Sequence, residues 1–146
     1  MLKEKLMQDF KEAMREKDEL KKNTITLIRA AILQVEKDTQ TELDDNAITE
    51  IIAKELKKRK DSLEEIAKSD RTDMIAQVEA EIAIIKGYLP EELSIEELTA
   101  IVEETIKEVE AASMKDMGKV MKAVKEKTTG RADGKTINEI VKKLLS

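Results

Sequence analysis

Tyr88-Leu89-Pro90-Glu91-Glu92-Leu93-Ser94 is the stretch on which the architecture turns. Pro90 is the single proline of the 146-residue chain. Its ring forbids helix continuation and pushes Leu89 toward an extended backbone. Four residues later Ser94, followed at the right distance by Glu97, forms the pattern of a capping box, which restarts a helix. The chain therefore reads as two modules, residues 1–90 and residues 91–146.

Downstream of this hinge, apolar residues recur at helical spacing in three segments. The first, residues 95–111, carries Leu98, Ile101, Val102, Ile106 and Val109. The second is opened by Ser113 with Asp116 and carries Met117, Val120, Met121 and Val124. After a turn ended by Gly130, Asp133 caps the third, with Ile137, Ile140, Val141, Leu144 and Leu145. Methionines 114, 117 and 121 lie near one stripe and read as core. A module of about 55 residues is close to the lower limit for an independent core.

Upstream, four more helical segments follow. Residues 2–16 place Leu2, Leu6, Phe10, Ala13 and Met14 on one stripe. A polar run, residues 17–23, separates them from a helix over 24–37 with Ile25, Ile28, Ala31, Ile32 and Val35 inward. After a polar loop over 38–45, Asp45 is placed to cap the longest helix, residues 46–68, on which Ile48, Ile51, Ile52, Leu56, Leu63 and Ile66 repeat. Beyond Ser69–Asp70, a fourth begins near Thr72, uses Met74, Val78, Ile82 and Ile85, and stops at Gly87. The expected fold class is all-α, a four-helix N-terminal module followed by a three-helix C-terminal one.

Composition supports this and excludes several functions. Aromatic residues amount to 1%, namely Phe10 and Tyr88, so Ile, Leu, Val, Met and Ala must fill the cores. Charged residues make up 40%, but an equal apolar share argues against disorder. The chain has no cysteine, which removes disulfides, thiol nucleophiles and thiolate metal sites and fits a reducing cytoplasm. It has no histidine, which removes the usual general base and the commonest zinc ligand. Asp44-Asp45-Asn46 is too short and glycine-free for a calcium loop, so neither a metal nor a cofactor is expected. No apolar run reaches the ~18 residues of a membrane span, and the mixed charges of residues 1–10 suit neither a signal nor a transit peptide.

Catalysis by the chain alone finds no support. Ser–Lys chemistry needs glycine-rich loops to shape an oxyanion hole, and only four glycines exist. Neighbouring glutamates such as Glu64 and Glu65 point ~100° apart on a helix and make poor acid–base pairs. The string Gly130-Arg131-Ala132-Asp133-Gly134-Lys135-Thr136 ends like a P-loop. It has one residue too few between its glycines and follows a helix rather than a strand. What survives is a helix N-terminus flanked by Arg131 and Lys135, a fair anion site that also reads as a plain interhelical turn.

Charge is polarised where the overall −5 conceals it. From Ser113 to the end, nine basic residues oppose four acidic ones; from Glu91 to Ala112, eight glutamates oppose Lys107 alone. Lys115, Lys119 and Lys122, spaced by four and three, are expected on one face of the sixth helix, where they would suit an RNA backbone or simply be a solvated face. The run Lys57-Lys58-Arg59-Lys60 wraps around its helix instead.

Taken together, certain strings resemble the GatB/YqeY family, in its stand-alone YqeY-like form. They are Ile28-Arg29 running on to Glu36; Arg59-Lys60-Asp61-Ser62 with Glu64-Glu65; the hinge quoted above; Met117-Gly118-Lys119-Val120-Met121-Lys122; Gly130-Arg131-Ala132-Asp133-Gly134-Lys135; and the closing helix, residues 141–145. The resemblance covers essentially the whole chain and implies an all-helical fold. The related GatB region is the tail of a subunit that amidates Glu-tRNA or Asp-tRNA with glutamine as nitrogen donor. There the tail engages tRNA while the carbon–nitrogen ligase chemistry lies elsewhere. This chain lacks the catalytic region, so the resemblance implies a non-catalytic tRNA- or RNA-binding accessory protein, or an amidotransferase-associated subunit active only in a complex. An amidotransferase or tRNA synthetase is the kind of protein partner it implies. Carried over by position, the RNA-facing candidates are Gly118, Lys119, Lys122, Gly130, Arg131, Gly134 and Lys135. A protein-interaction scaffold, using Glu103, Glu104, Glu108 and Glu110 against a basic partner, is the reading from another class.

Overall fold

A computed structural model describes residues 1–69 and 71–146, and Asp70 lies outside the described residues. Among the described residues there are seven α-helices, one 3-10 turn and no strand, so the chain is all-α. It divides into two compact units, Met1–Leu89 and Pro90–Ser146.

In the first unit, α1 (Leu2–Arg15) packs on α2 (Glu19–Thr39), and α3 (Asp45–Ile66) packs on α4 (Thr72–Lys86), with α2 also meeting both α3 and α4. Leu6, Ile25, Ile28, Ile32, Ile48, Ile52, Ile85 and Tyr88 form the core. Each fully buried isoleucine contributes roughly 1.5–3 kcal/mol before entropy is subtracted. Met14 and Met74, expected on the inner stripes, are instead exposed. The polar positions are spent on cross-links. Glu36 receives the ammonium of Lys3 and the amide of Leu43 (2.9 Å), joining α1, α2 and the approach to α3. Arg29 lies over the ring of Phe10, 5.4 Å from its centre, a cation–π contact between α2 and α1. Between α3 and α4, Arg59 Nε lies 3.0 Å from Glu81 Oε2 with both side chains largely covered, yet the N–H makes no hydrogen bond. The contact is a charge pair only.

Two helix starts differ from expectation. The polar run over 17–23 is not a loop: α2 begins at Glu19, capped by Asp18, whose carboxylate accepts from Lys21 N (3.1 Å). The preceding helix closes in a Schellman motif, with Asp18 N donating to Ala13 O (2.9 Å), Lys17 N donating to Met14 O (3.3 Å) and Lys17 at φ 58°. A lysine rather than a glycine takes the left-handed position, so the stop carries no glycine signal. At α3 the cap is Asp44, accepting from Ala47 N (2.8 Å). Asp45 serves α1 instead, accepting from Leu2 N (3.1 Å) and from the α-amino group of Met1 (3.3 Å). Gly87 does cap α4, but with right-handed backbone (φ −61°).

In the second unit, α5 (Ile95–Glu108), α6 (Met117–Lys127) and α7 (Gly134–Leu145) pack pairwise. Leu98, Val102, Val120, Val124, Ile137 and Val141 form a small core. Leu144, expected inward, is exposed. The Ser94–Glu97 capping box is complete in both directions, at 3.1 and 3.2 Å. α5 stops three residues short of the expected end, again in a Schellman motif without glycine: Glu110, at φ 55°, donates to Lys107 O (3.3 Å) and Ala111 N to Ile106 O (3.0 Å). Gln40, at φ 53° after α2, is the third non-glycine residue in the left-handed region.

Candidate nucleic-acid interface

A short capped turn leads into the sixth helix. Ser113 Oγ accepts from Lys115 N (3.4 Å), and Asp116 reaches back to accept from Ala112 N (2.9 Å). The Ala112 amide first, then that of Ser113 and the nearby Lys119 charge, hold the Asp116 carboxyl below its ordinary pKa against its partial desolvation. These bonds wind Met114–Asp116 into a 3-10 turn, and α6 begins only at Met117. Lys115 is therefore exposed on the turn before α6, and Met114 beside it is exposed too rather than in the core. The expected sixth helix starts later than Ser113 because the serine cap is satisfied by a 3-10 turn, so Lys115 lies on that turn and Lys119 and Lys122 on α6.

The face is extended in the other direction. Val120 and Val124 are fully buried, which turns Gly118, Lys119, Lys122 and Lys125 outward, all exposed. Among the described residues none of these three lysines forms an ion pair. Gly118 has nothing within 4 Å of where a β-carbon would stand, so the space beside it belongs to solvent. At the far end, Lys125 Cε lies 3.8 Å from the corresponding point on Gly134, so its aliphatic stem runs along the start of α7, next to exposed Lys135. Lys125 was missed by matching motifs; the three-residue step from Lys122 was the signal available.

The Gly130–Lys135 turn is organised by its own groups. Gly130 takes φ 74°, a left-handed turn that glycine adopts without strain. Arg131 is half-buried and engaged: its Nε donates to the carbonyl of Glu91 (3.1 Å), while Leu93 N donates to the carbonyl of Arg131 (2.8 Å). Its charge also helps lower the Glu97 carboxyl, for which the Ser94 amide is the larger cause. Asp133 caps α7 by accepting from Lys135 N (3.2 Å). That carboxylate occupies the end of the helix where an anion would otherwise sit. The turn thus leaves Lys135 free and ties Arg131 through its Nε to the Glu91 carbonyl. Lys127 is bound as well, donating to Glu108 (2.6 Å) and to the buried Thr105 hydroxyl (3.1 Å).

Among the described residues no group of three acidic, His or Cys side chains is placed to hold a metal ion, and no helix is long and apolar enough to cross a membrane. The sequence matches the family described as "Yqey-like protein" over residues 3–145. No curated protein matches the chain. With nearly its whole length matched, the chain belongs to the YqeY-like family.

Proposed function

For this member of the YqeY-like family, we propose a non-catalytic accessory role in the cytoplasm, in which the second unit binds the sugar–phosphate backbone of RNA, tRNA first. One observation carries the reading: Lys119, Lys122 and Lys125 form an exposed, unpaired cationic row on α6, flanked by Gly118. Ammonium groups on flexible stems suit phosphates, which are point-charge partners and need no aromatic stacking. Lys115, on the turn before α6, and Lys135, at the start of α7, would add phosphate contacts, with Gly130, Arg131 and Gly134 shaping the turn between α6 and α7. The net charge of −5 does not oppose this, because screening confines each field to ~8–10 Å.

Binding of purified protein to total tRNA across a salt series tests the reading. Affinity should fall steeply with salt, and Lys119→Gln or Lys122→Gln should each reduce the slope of log K against log salt by about 1. No binding even at low salt would remove the proposal.

A second reading rests on exposed Glu103 and Glu104 of α5, which pair with no cation among the described residues. They suit a basic protein surface, such as that of an amidotransferase or a tRNA synthetase. A pull-down after nuclease treatment that recovers one such protein, and loses it on Glu103→Lys, would favour this reading over RNA.

A further inference from the structure

We infer that the RNA accepted by the α6 surface is double-stranded, held along its phosphate backbone with the helix backbone brought close at Gly118. The inference rests on the RNA-binding reading and narrows it to one class of RNA.

Three independent features carry it. The first is Gly118. Gly118 is the second residue of α6, and glycine costs a helix up to ~1 kcal/mol relative to alanine in the interior and less in the first turn. Here no neighbouring atom requires the missing side chain, since a β-carbon would meet nothing within 4 Å. Packing within the chain leaves that cost unexplained; a bulky backbone lying on the helix explains it, because each side-chain atom removed from the contact lets the two approach more closely.

The second is the row itself. Lys119, Lys122 and Lys125 advance along the axis of α6 in steps of ~4.5 Å, and the stem of Lys125 leads on to Lys135 at the start of α7. These ammonium groups ride on flexible stems, but the helix that carries them is fixed by Val120 and Val124. A duplex presents its phosphates already ordered on the outside, so only the lysine stems are ordered on binding. A single strand must first be ordered, and that conformational cost needs a return.

The third is the lack of means to supply that return. Single-stranded RNA is held by stacking bases on aromatic rings or guanidinium planes, worth ~1–3 kcal/mol per base. The two aromatic residues of the chain, Phe10 and Tyr88, both belong to the first unit, where Phe10 carries Arg29 and Tyr88 is buried. The only arginine of the second unit, Arg131, is tied to Glu91. Bases would find no aromatic ring on this unit, whereas phosphates find four free lysines. Recognition of this kind follows the shape and charge of a helix and tolerates any sequence.

The test uses the full chain and fluorescence anisotropy at one fixed salt concentration, with an RNA duplex of ~16 base pairs, its unstructured single strand, and a duplex of scrambled sequence. The expected result is at least ~10-fold tighter binding of both duplexes than of the strand, a difference of ~1.4 kcal/mol. Gly118→Ala should fold normally and weaken duplex binding several-fold. Equal or tighter binding of the single strand would overturn the inference while leaving RNA binding intact. Unchanged duplex affinity in Gly118→Ala would overturn the close approach at that position. Failure of all three RNAs to bind at low salt would instead remove the RNA-binding reading, and this inference with it.

Discussion

The phenol of Tyr88 donates a 2.5 Å hydrogen bond to the carboxylate of Asp9, 79 positions away in the chain. It ties the residue before Leu89 and Pro90 back to α1, and Lys5 lies over the same ring at 5.4 Å. Burial, then the bond to Asp9, push the phenol well above its ordinary value of 10.0. A group whose pKa is raised by folding stabilises fully below its unfolded value and loses that contribution as pH climbs toward the folded one. Absorbance titration of this sole tyrosine should therefore show no phenolate at pH 10 in folded protein, with stability falling above that pH. In Tyr88→Phe the alkaline loss should be smaller. An ordinary tyrosine titration in the folded protein would contradict the geometry.

Acid should act through Glu36. Its carboxyl is held below the usual 4.5 by Lys3 first and by the Leu43 amide second. The stabilisation is present above 4.5 and is lost as pH falls through the lower folded pKa. Calorimetry should find that wild type loses melting temperature on acidification below 4.5 and that Glu36→Gln, already less stable at neutral pH, loses less. Parallel curves for the two proteins would count against this account.

Arg59 and Glu81 invite a double-mutant comparison. Their side chains are 19% and 15% exposed, and the pair lacks a directed bond from Nε. Glu81→Leu alone leaves a mostly covered guanidinium without its carboxylate and should cost about 2–4 kcal/mol in urea unfolding. Arg59→Met combined with Glu81→Leu should recover most of that loss, because hydrophobic replacements avoid desolvating both charges. If the double variant were as unstable as the single one, the pair would be worth more than its geometry indicates.

Arg131 should behave as a clasp. Arg131→Lys keeps the charge but loses the Nε donor that reaches Glu91. It should cost the second unit about 1 kcal/mol and change RNA affinity less than twofold. Ser94→Ala, which opens the capping box of the same segment, should cost a similar ~1 kcal/mol. Denaturant unfolding followed by circular dichroism, beside anisotropy with tRNA, separates the two effects. A tenfold loss of affinity with unchanged stability would make Arg131 a direct RNA contact instead.

Helix existence was legible in the sequence because buried residues such as Leu6, Ile28, Ile52, Val102 and Val141 recur at the helical period. The capping box at Ser94 and the cap at Asp133 were legible because each leaves a local pattern. What escaped was chemistry shared between neighbours. Asp44 and Asp45 are equivalent as a local cap signal, and only the tertiary placement of Met1 and Leu2 gives them different tasks. Lys115 lies on a 3-10 turn rather than on α6 because the Ser113 cap is satisfied by that turn first, which the local sequence pattern does not distinguish from a helix start. Arg131 and Lys135 are alike as motif letters, yet a carbonyl 40 positions upstream engages the first and leaves the second free.

Lys17, Gln40 and Glu110 hold the mirror-image backbone that glycine adopts without strain. Each position forfeits up to ~1 kcal/mol, partly offset by the greater freedom that glycine would have in the unfolded chain. This molecule consequently keeps a margin of robustness in reserve at three surface corners, none on its cationic row. A version hardened for heat or long storage can be made there by glycine substitution without redesigning either core.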